Sequence, residues 1–155
     1  MGERLASRKI AREELFKLLF EADMNKVTPL KRLDEFLSDG NRRTELVSKN
    51  NDNTNNVEEI ELLEEEIKFI RKFAEGIDKH YGTIDAELNE KMEDWSLETI
   101  GNVERSLLRF GVYELLYEDT GFEIVLNEII ELAKTYGDTS SHEFVNGVLA
   151  KFVKK

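Results

Sequence analysis

Helical periodicity is the feature of this chain that most narrows its fold. Between residues 60 and 81 the apolar side chains recur in steps of three and four, which places them along one stripe of an α-helix. The same spacing recurs elsewhere, at about residues 7–25, 96–118, 125–136 and 140–152. No segment shows a convincing strand alternation. The pattern therefore predicts an all-α fold of about seven helices and no sheet.

Local signals place several helix ends. Thr28 followed by Pro29 is a favourable start, with Thr as the N-cap and Pro at the first helical position. Gly82 is predicted to stop the long helix that precedes it. Ser140 and Glu143 form the S-x-x-E pattern of a capping box, which predicts that a helix opens there.

The length of 155 residues suits one domain or two tightly packed halves. We expect two small helical bundles, roughly residues 1–82 and 83–155. Residues 38–56 are rich in Asn and have little to bury, so they are predicted to form a loop or an insertion, with no site assigned to them. This segment divides the two bundles or links helices within one core, and the sequence is compatible with both.

The chemistry of known enzymes is poorly represented. The chain has no Cys, and its two His residues, His80 and His142, are far apart in sequence. This argues against a thiolate nucleophile, a disulfide scaffold and a metal site. No Gly-rich phosphate loop is present, and no cofactor is predicted. No apolar run is long enough to span a membrane, and residues 1–25 lack the apolar core that a signal peptide would have, so we expect neither feature. We expect a cytoplasmic protein without catalytic activity.

Charge is distributed unevenly along the chain. The net charge is −11, yet residues 1–12 carry Arg4, Arg8, Lys9 and Arg12 against one acid, Glu3. The N-terminal segment is therefore basic, and the remaining residues are more acidic than the total suggests. A basic tip on an acidic body restricts contact with phosphate to that tip. Solvated terminal cations without a function are the alternative.

The basic tip coincides with the start of the first predicted helix. Arg8 and Arg12 are four residues apart and share one helical face, with Lys9 beside them. Such a helix start can contact RNA phosphates and bases while its apolar face anchors in the core. Alternatively, Arg12 pairs with Glu13 or Glu14.

The last predicted helix contains Asn146 and Gly147 in its middle, where Gly is unfavourable. We predict that another helix approaches Gly147 closely and that Asn146 satisfies a buried backbone group.

Four segments together resemble the NusB family of bacterial transcription antitermination factors. They occur in the family's order and cover about two thirds of the chain, with Trp95 between the middle helices. The segments are SRKIAREELFKLLFEAD, NVERSLLRFGVYELL, IVLNEIIELAKTYG and SSHEFVNGVLAKF. The resemblance implies an all-α fold of two bundles and no enzymatic activity.

The resemblance also implies partners. Family members bind the boxA element of nascent ribosomal-RNA transcripts together with NusE, a small-subunit ribosomal protein, and help RNA polymerase to read through terminators. Some members dimerise and bury their RNA surface. The same domain also occurs fused to RNA cytosine methyltransferases.

Roles for individual residues follow from the resemblance. It assigns RNA contacts to Arg4, Arg8, Lys9, Arg12 and Phe144, with Ile10 where the family has a further basic residue. It assigns contacts with NusE to Glu104, Arg109 and Ser140, with Ser140 where an acidic residue is common. The structural alternatives are that Glu104 pairs with a neighbouring Arg and that Phe144 lies in the core.

Three functional hypotheses follow. About three cations on phosphates give single-strand RNA binding a log–log salt slope near −2, too weak a dependence to account for tight binding without a partner. The leading hypothesis is therefore a boxA-binding antitermination factor that acts with NusE. The others are a protein-binding helical adaptor and an accessory domain for an RNA-modifying enzyme.

Overall fold

The computed structural model describes residues 2–39, 42–48 and 55–153, and side chains within residues 8–39 and 61–153. These residues contain seven helices: α1 (Gly2–Asn25), α2 (Pro29–Ser38), α3 (Glu64–Lys79), α4 (Tyr81–Lys91), α5 (Asn102–Tyr117), α6 (Phe122–Tyr136) and α7 (Ser141–Ala150). The all-α fold class and the number of helices are confirmed.

A β-hairpin lies between α2 and α3, where residues 38–56 are predicted to be a loop or insertion and a helix is predicted from residue 60. Strand β1 (Arg42–Ser48) pairs antiparallel with β2 (Asn55–Glu61), with Arg42 opposite Glu61 and Ser48 opposite Asn55. The prediction of no sheet is therefore wrong in this segment. A two-stranded ribbon can form through backbone pairing without the continuous apolar alternation that indicates a buried strand.

Helix α5 is the centre of the fold. It packs against α1, α3, α4, α6 and α7. Consecutive turns of α5 are fully buried, including Leu107, Leu108, Phe110 and Val112. Burial on all sides explains why apolar residues occupy more than one stripe of this helix. One contiguous apolar core contains side chains from both halves of the sequence.

The predicted start of α2 holds, whereas the predicted stop at Gly82 does not. The hydroxyl oxygen of Thr28 accepts a hydrogen bond from the Lys31 N–H at 3.1 Å, which confirms the cap of α2. Gly137 is the C-cap of α6 in an extended conformation, and a Cβ there would lie 2.5 Å from the Ser141 side chain. Gly82 does not end a helix, because α3 already ends at Lys79 and Gly82 lies in the first turn of α4.

The predicted capping box of α7 is also wrong. The Ser140 side chain forms no capping hydrogen bond to the helix. The Asp138 carboxylate instead accepts the backbone N–H groups of Ser140 and Ser141, at 3.0 and 3.1 Å. Asp138 lies two residues upstream of the predicted cap, because the chain makes an additional turn before the helix begins.

Within the described residues, no helix is both long and apolar enough to cross a membrane.

Candidate nucleic-acid interface

The first turns of α1 expose two cations. Arg8 and Lys9 are solvent-exposed, whereas Ala11 and Arg12, about one turn further along the helix, are buried. Ile10 is half-buried and packs against the core, so the position that lacks the family's basic residue is used for packing. The side chain of Arg4 lies outside the described residues, although the backbone there is helical.

Phe69 of α3 orients the arginines of this tip. The guanidinium of Arg8 lies 4.6 Å from the centre of the Phe69 ring, and that of Arg12 lies 5.5 Å from it. The two arginines therefore share one helical face, as their spacing predicts. A cation above an aromatic face is attracted to the ring, which restricts Arg8 while leaving it in contact with water.

Arg12 is not available for contact with RNA. It is only 4% exposed, and its guanidinium forms a buried ion pair with Glu114 of α5. Glu114 also accepts a hydrogen bond from the Thr120 hydroxyl at 2.6 Å. The assignment of Arg12 as an RNA contact is thus corrected by its burial. Its partner is also not Glu13 or Glu14, because α1 turns this face toward α5.

Phe144 lies at the other end of α5 from Arg8. Arg12 pairs with Glu114 near the C-terminal end of α5. Ser141, the first residue of α7, contacts Glu104 near the N-terminal end of α5. Ten residues of helix correspond to about 15 Å, and Arg8 lies a further turn away. The structure therefore does not bring Phe144 together with the basic tip.

An open groove of about 660 Å³ surrounds the Phe144 side chain. Phe144 is half-buried, and the exposed ring of Trp95 meets it edge-on at 6.1 Å between ring centroids. Glu104, Asp138 and Glu143 also line this groove. We call it the acidic aromatic groove, and its lining residues are Trp95, Glu104, Asp138, Ser140, Glu143 and Phe144, together with Thr99, Ile100, Gly101 and Ser141.

Hydrogen bonds fix the acidic side of the groove. The hydroxyl of Ser141 is within hydrogen-bonding distance of both Glu104 and Asp138. Ser140 is exposed and donates its hydroxyl hydrogen to Asp138 at 3.0 Å. Hydrogen bonds from Ser140 and Ser141 lower the pKa of Asp138 below its ordinary value, so this carboxylate is charged at neutral pH. Glu104 pairs with Ser141 and not with a neighbouring arginine.

Arg109 belongs to an internal network. It donates two hydrogen bonds to Asp85, each of 2.9 Å, and a third to Asp23 at 3.2 Å. Its guanidinium also lies 4.5 Å from the centre of the Tyr81 ring. Burial would lower the pKa of Arg109, but the hydrogen bond and charge of Asp85 outweigh it and raise the pKa. Arg109 therefore joins α1, α4 and α5 and does not lie in the groove.

The Asn146–Gly147 pair does not serve the purpose that its sequence suggests. Both residues are exposed on α7, and a Cβ atom at Gly147 would have no neighbour within 4 Å. The prediction that another helix approaches Gly147 closely is therefore wrong, and so is the prediction that Asn146 satisfies a buried backbone group. Other glycines are crowded by side chains instead, among them Gly111 in the core, where a Cβ would lie 2.9 Å from Leu149 of α7.

The sequence analysis did not predict the ion pair between Arg12 and Glu114 or the location of Trp95 in the groove. Glu114 is an acid within a strongly apolar helix, which is a detectable signal for a buried ion pair. Trp95 had only the signal of being the single Trp of the chain. The described residues contain no cluster of His, Cys, Asp and Glu suited to a metal ion.

Comparison with known proteins gives a consistent result. The family model described as the NusB family matches residues 9–154. The chain is similar to a transcription antitermination protein NusB from Fusobacterium nucleatum subsp. nucleatum, with 37% identity over 94% of this chain and 88% of that protein. It is also similar to NusB from Oceanobacillus iheyensis, with 33% identity over 95% and 98% of the two chains.

Solved structures agree with these sequence matches. NusB of T. maritima superimposes with a TM-score of 0.73 at 28% identity, covering 94% of this chain and 89% of that one. A NusB structure determined with NusE and double-stranded RNA gives a TM-score of 0.72 at 25% identity, covering 95% and 96%. The family model spans nearly the whole chain. The two relatives named above are more than 30% identical to it over most of the length of both proteins. The chain belongs to the NusB family of transcription antitermination proteins.

Proposed function

We propose that this chain is a non-catalytic antitermination factor of the cytoplasm that binds boxA-type single-stranded RNA of nascent ribosomal-RNA transcripts together with NusE. The observation that carries the proposal is the exposed cationic tip of α1 on an otherwise acidic protein. Membership of a family with a relative solved in complex with NusE and RNA supports it.

The RNA-contacting residues in this proposal are Arg4, Arg8 and Lys9. Arg8 and Lys9 are exposed, and Phe69 restricts the Arg8 guanidinium before RNA binds. A restricted cation loses less conformational freedom when it meets a phosphate. Arg12 contributes indirectly, because its buried pair with Glu114 fixes this part of α1 against α5. Three cations at the tip retain the expected salt slope near −2 for single-stranded RNA.

A second protein is required on physical grounds. A slope near −2 corresponds to roughly a 20-fold loss of affinity between 50 and 200 mM salt, which is a small electrostatic contribution. The rest of the exposed surface is acidic overall and repels phosphate. A basic ribosomal protein complements that surface and adds RNA contacts. We therefore propose that NusE binds at the end of the molecule that contains Glu104 and Ser140, and that RNA polymerase engages the assembled complex.

Mobility shifts with boxA-type RNA test this function. The chain is titrated with and without NusE of its source organism, at 50 and 200 mM salt. We expect much tighter RNA binding with NusE than without it. Equal affinities with and without NusE contradict the proposal.

The alanine double variant Arg8→Ala, Lys9→Ala identifies the RNA face in the same assay. It should reduce the magnitude of the log–log salt slope by about 1.4, since each cation contributes about 0.7 on a single strand. A matched control, Lys26→Ala, Lys31→Ala, removes two exposed cations from the α1–α2 connection and the first turn of α2. An unchanged slope in the Arg8, Lys9 variant, or an equal change in the control, contradicts the assignment.

RNA binding at Arg8 and Lys9 bears on the oligomeric state of the protein. A homodimer that buries Arg8 and Lys9 would compete with RNA for them. We therefore expect RNA to shift any such dimer toward the monomer, which sedimentation with and without RNA would measure.

A further inference from the structure

The ring of Phe69 on α3 is held from the core side by other aromatic side chains. Phe73 stacks on it, with ring centroids 4.2 Å apart and ring planes inclined by 24°. Phe73 in turn meets Phe110 and Tyr113 of α5 edge-on, at 5.8 and 5.2 Å between centroids. Because these three supporting rings are buried and closely packed, they restrict the position of the Phe69 ring.

Arginine side chains occupy the other side of the Phe69 ring. The guanidinium of Arg8 lies over the ring at 4.6 Å from its centre, and that of Arg12 lies at 5.5 Å. A ring has two faces, and Phe73 covers one of them, so the guanidinium groups lie over the other. Proteins commonly hold unpaired nucleobases by stacking them on aromatic side chains. Phe69 itself has no open face for such a base.

Arg8 forms the outer layer of this stack, because it is exposed to solvent whereas Arg12 is buried. A guanidinium is planar, its N–H donors point outward along its edges, and its faces can stack on flat groups. We propose that an unpaired nucleobase of the RNA stacks on the guanidinium face of Arg8 that points away from Phe69, with Phe69 as the positioning residue. This inference rests on the proposed function, because it names the part of the RNA that Arg8 recognises.

The difference between Arg8 and Lys9 supports a base contact. Both side chains are exposed cations on the first turns of α1 and can meet a phosphate. Among the described residues, an aromatic ring lies beneath Arg8 but not beneath Lys9. A phosphate meets the N–H edges of a guanidinium, whereas a base meets its face, so Arg8 can make both contacts at once. The ring behind Arg8 fixes the plane that a base needs and that a phosphate does not.

Stacking also supplies affinity that the cations of the tip lack. Three cations give a salt slope near −2 and only a small electrostatic contribution. Loss of one stacked base weakens single-strand binding by about 5-fold or more. Since stacking releases no counterions, this contribution leaves the salt slope unchanged. The base contact and the phosphate contacts can therefore be measured separately.

An abasic scan of boxA-type RNA tests the contact. Each nucleobase in turn is replaced by an abasic nucleotide that keeps its phosphate, and mobility shifts measure binding to the chain in complex with NusE. Arg8→Lys keeps the charge but has no planar face. It should bind the unmodified RNA about 5-fold more weakly than the unaltered chain, with the same salt slope. One abasic nucleotide should weaken binding of the unaltered chain about 5-fold and have no further effect on Arg8→Lys.

Lys9→Ala is the matched control, since it removes the neighbouring exposed cation. It should reduce the magnitude of the log–log salt slope by about 0.7. It should also keep the full loss of affinity at the abasic nucleotide to which Arg8→Lys is insensitive. Loss of that sensitivity in Lys9→Ala would mean that the base contact does not belong to Arg8.

Phe69→Leu tests the positioning role, because leucine keeps an apolar contact with the core but has no ring face. In the unaltered background it should weaken RNA binding about threefold without changing the salt slope. In the Arg8→Lys background it should have no further effect. Additive losses from the two substitutions would show that Phe69 acts only through helix packing and would overturn its positioning role.

The possible failures are distinguishable. If Arg8→Lys binds RNA as tightly as the unaltered chain, or keeps its sensitivity to every abasic nucleotide, stacking on Arg8 is overturned while the proposed function stands. If the complex of the unaltered chain with NusE does not bind boxA-type RNA, the proposed function fails and this inference fails with it. Arg8→Lys alters an exposed side chain, so the scan decides the matter even if Phe69→Leu does not fold.

Discussion

The two ends of α5 use charge in opposite ways. Near its C-terminal end, Glu114 is neutralised by Arg12, and the neighbouring Arg8 and Lys9 remain exposed. Near its N-terminal end, Glu104 hydrogen-bonds with a serine hydroxyl, and Asp138 and Glu143 add further negative charge beside two aromatic rings. A net charge of −11 therefore describes neither end of the molecule. Opposite charges at the two ends of the molecule suit a protein that binds an anionic RNA and a basic protein at the same time.

The largest expected effect comes from removing the buried pair beneath the basic tip. Arg12→Ala leaves the Glu114 carboxylate buried without its cation, so the free energy of unfolding should fall by about 3–5 kcal/mol. Denaturant unfolding at pH 7 measures this change.

Arg8→Ala is the matched control, since Arg8 occupies the same helical face but is exposed. It should change stability by less than about 1 kcal/mol. If Arg12→Ala instead leaves stability intact and reduces the salt slope of RNA binding, Arg12 belongs to the RNA face and the distinction between the two arginines is wrong.

A smaller effect is expected from the network between the two ends. Arg109→Ala removes hydrogen bonds to Asp85 and Asp23 and should lower the free energy of unfolding by about 2 kcal/mol. Its effect on NusE affinity should be below twofold once measured on the folded protein. A loss of NusE affinity of about 10-fold would show that Arg109 contacts NusE.

The smallest effect concerns the outer face of α7. Gly147→Ala should raise the free energy of unfolding by about 0.5–1 kcal/mol, because the position is helical, exposed and free of neighbours. Thermal unfolding measures it. Destabilisation would mean that Gly147 is crowded after all, whereas added stability with weakened binding of NusE or RNA would extend an interface onto this face.

Periodicity and family resemblance together predicted the helices and the basic tip, because both depend on residues that are close in sequence. Thr28 at its cap and Gly137 after α6 are local signals of the same kind. The buried pair of Arg12 with Glu114 joins residues 102 positions apart, so no local pattern could reveal it. The spacing of Arg8 and Arg12 correctly placed them on one face but could not show how deeply each is buried.

Other misses have physical causes of their own. The helical spacing of apolar residues continues from α3 into α4, and it hides the interruption at His80 that makes Gly82 part of a new helix. Asp138 displaced Ser140 as the cap of α7, because both residue types can accept backbone N–H groups and only the path of the chain decides between them. The groove depends on Trp95, Glu104 and Phe144, which three separate segments supply.

The most direct test compares RNA and NusE binding by one variant, Arg8→Glu, Lys9→Glu. We expect RNA to bind at the basic tip and NusE at the opposite end of α5. This charge reversal should lower the affinity of the chain for boxA-type RNA by at least about 10-fold, while its affinity for NusE, measured by titration calorimetry, should stay within twofold. Parallel loss of both affinities in a folded variant, or unchanged RNA binding, would contradict the separation of the two sites.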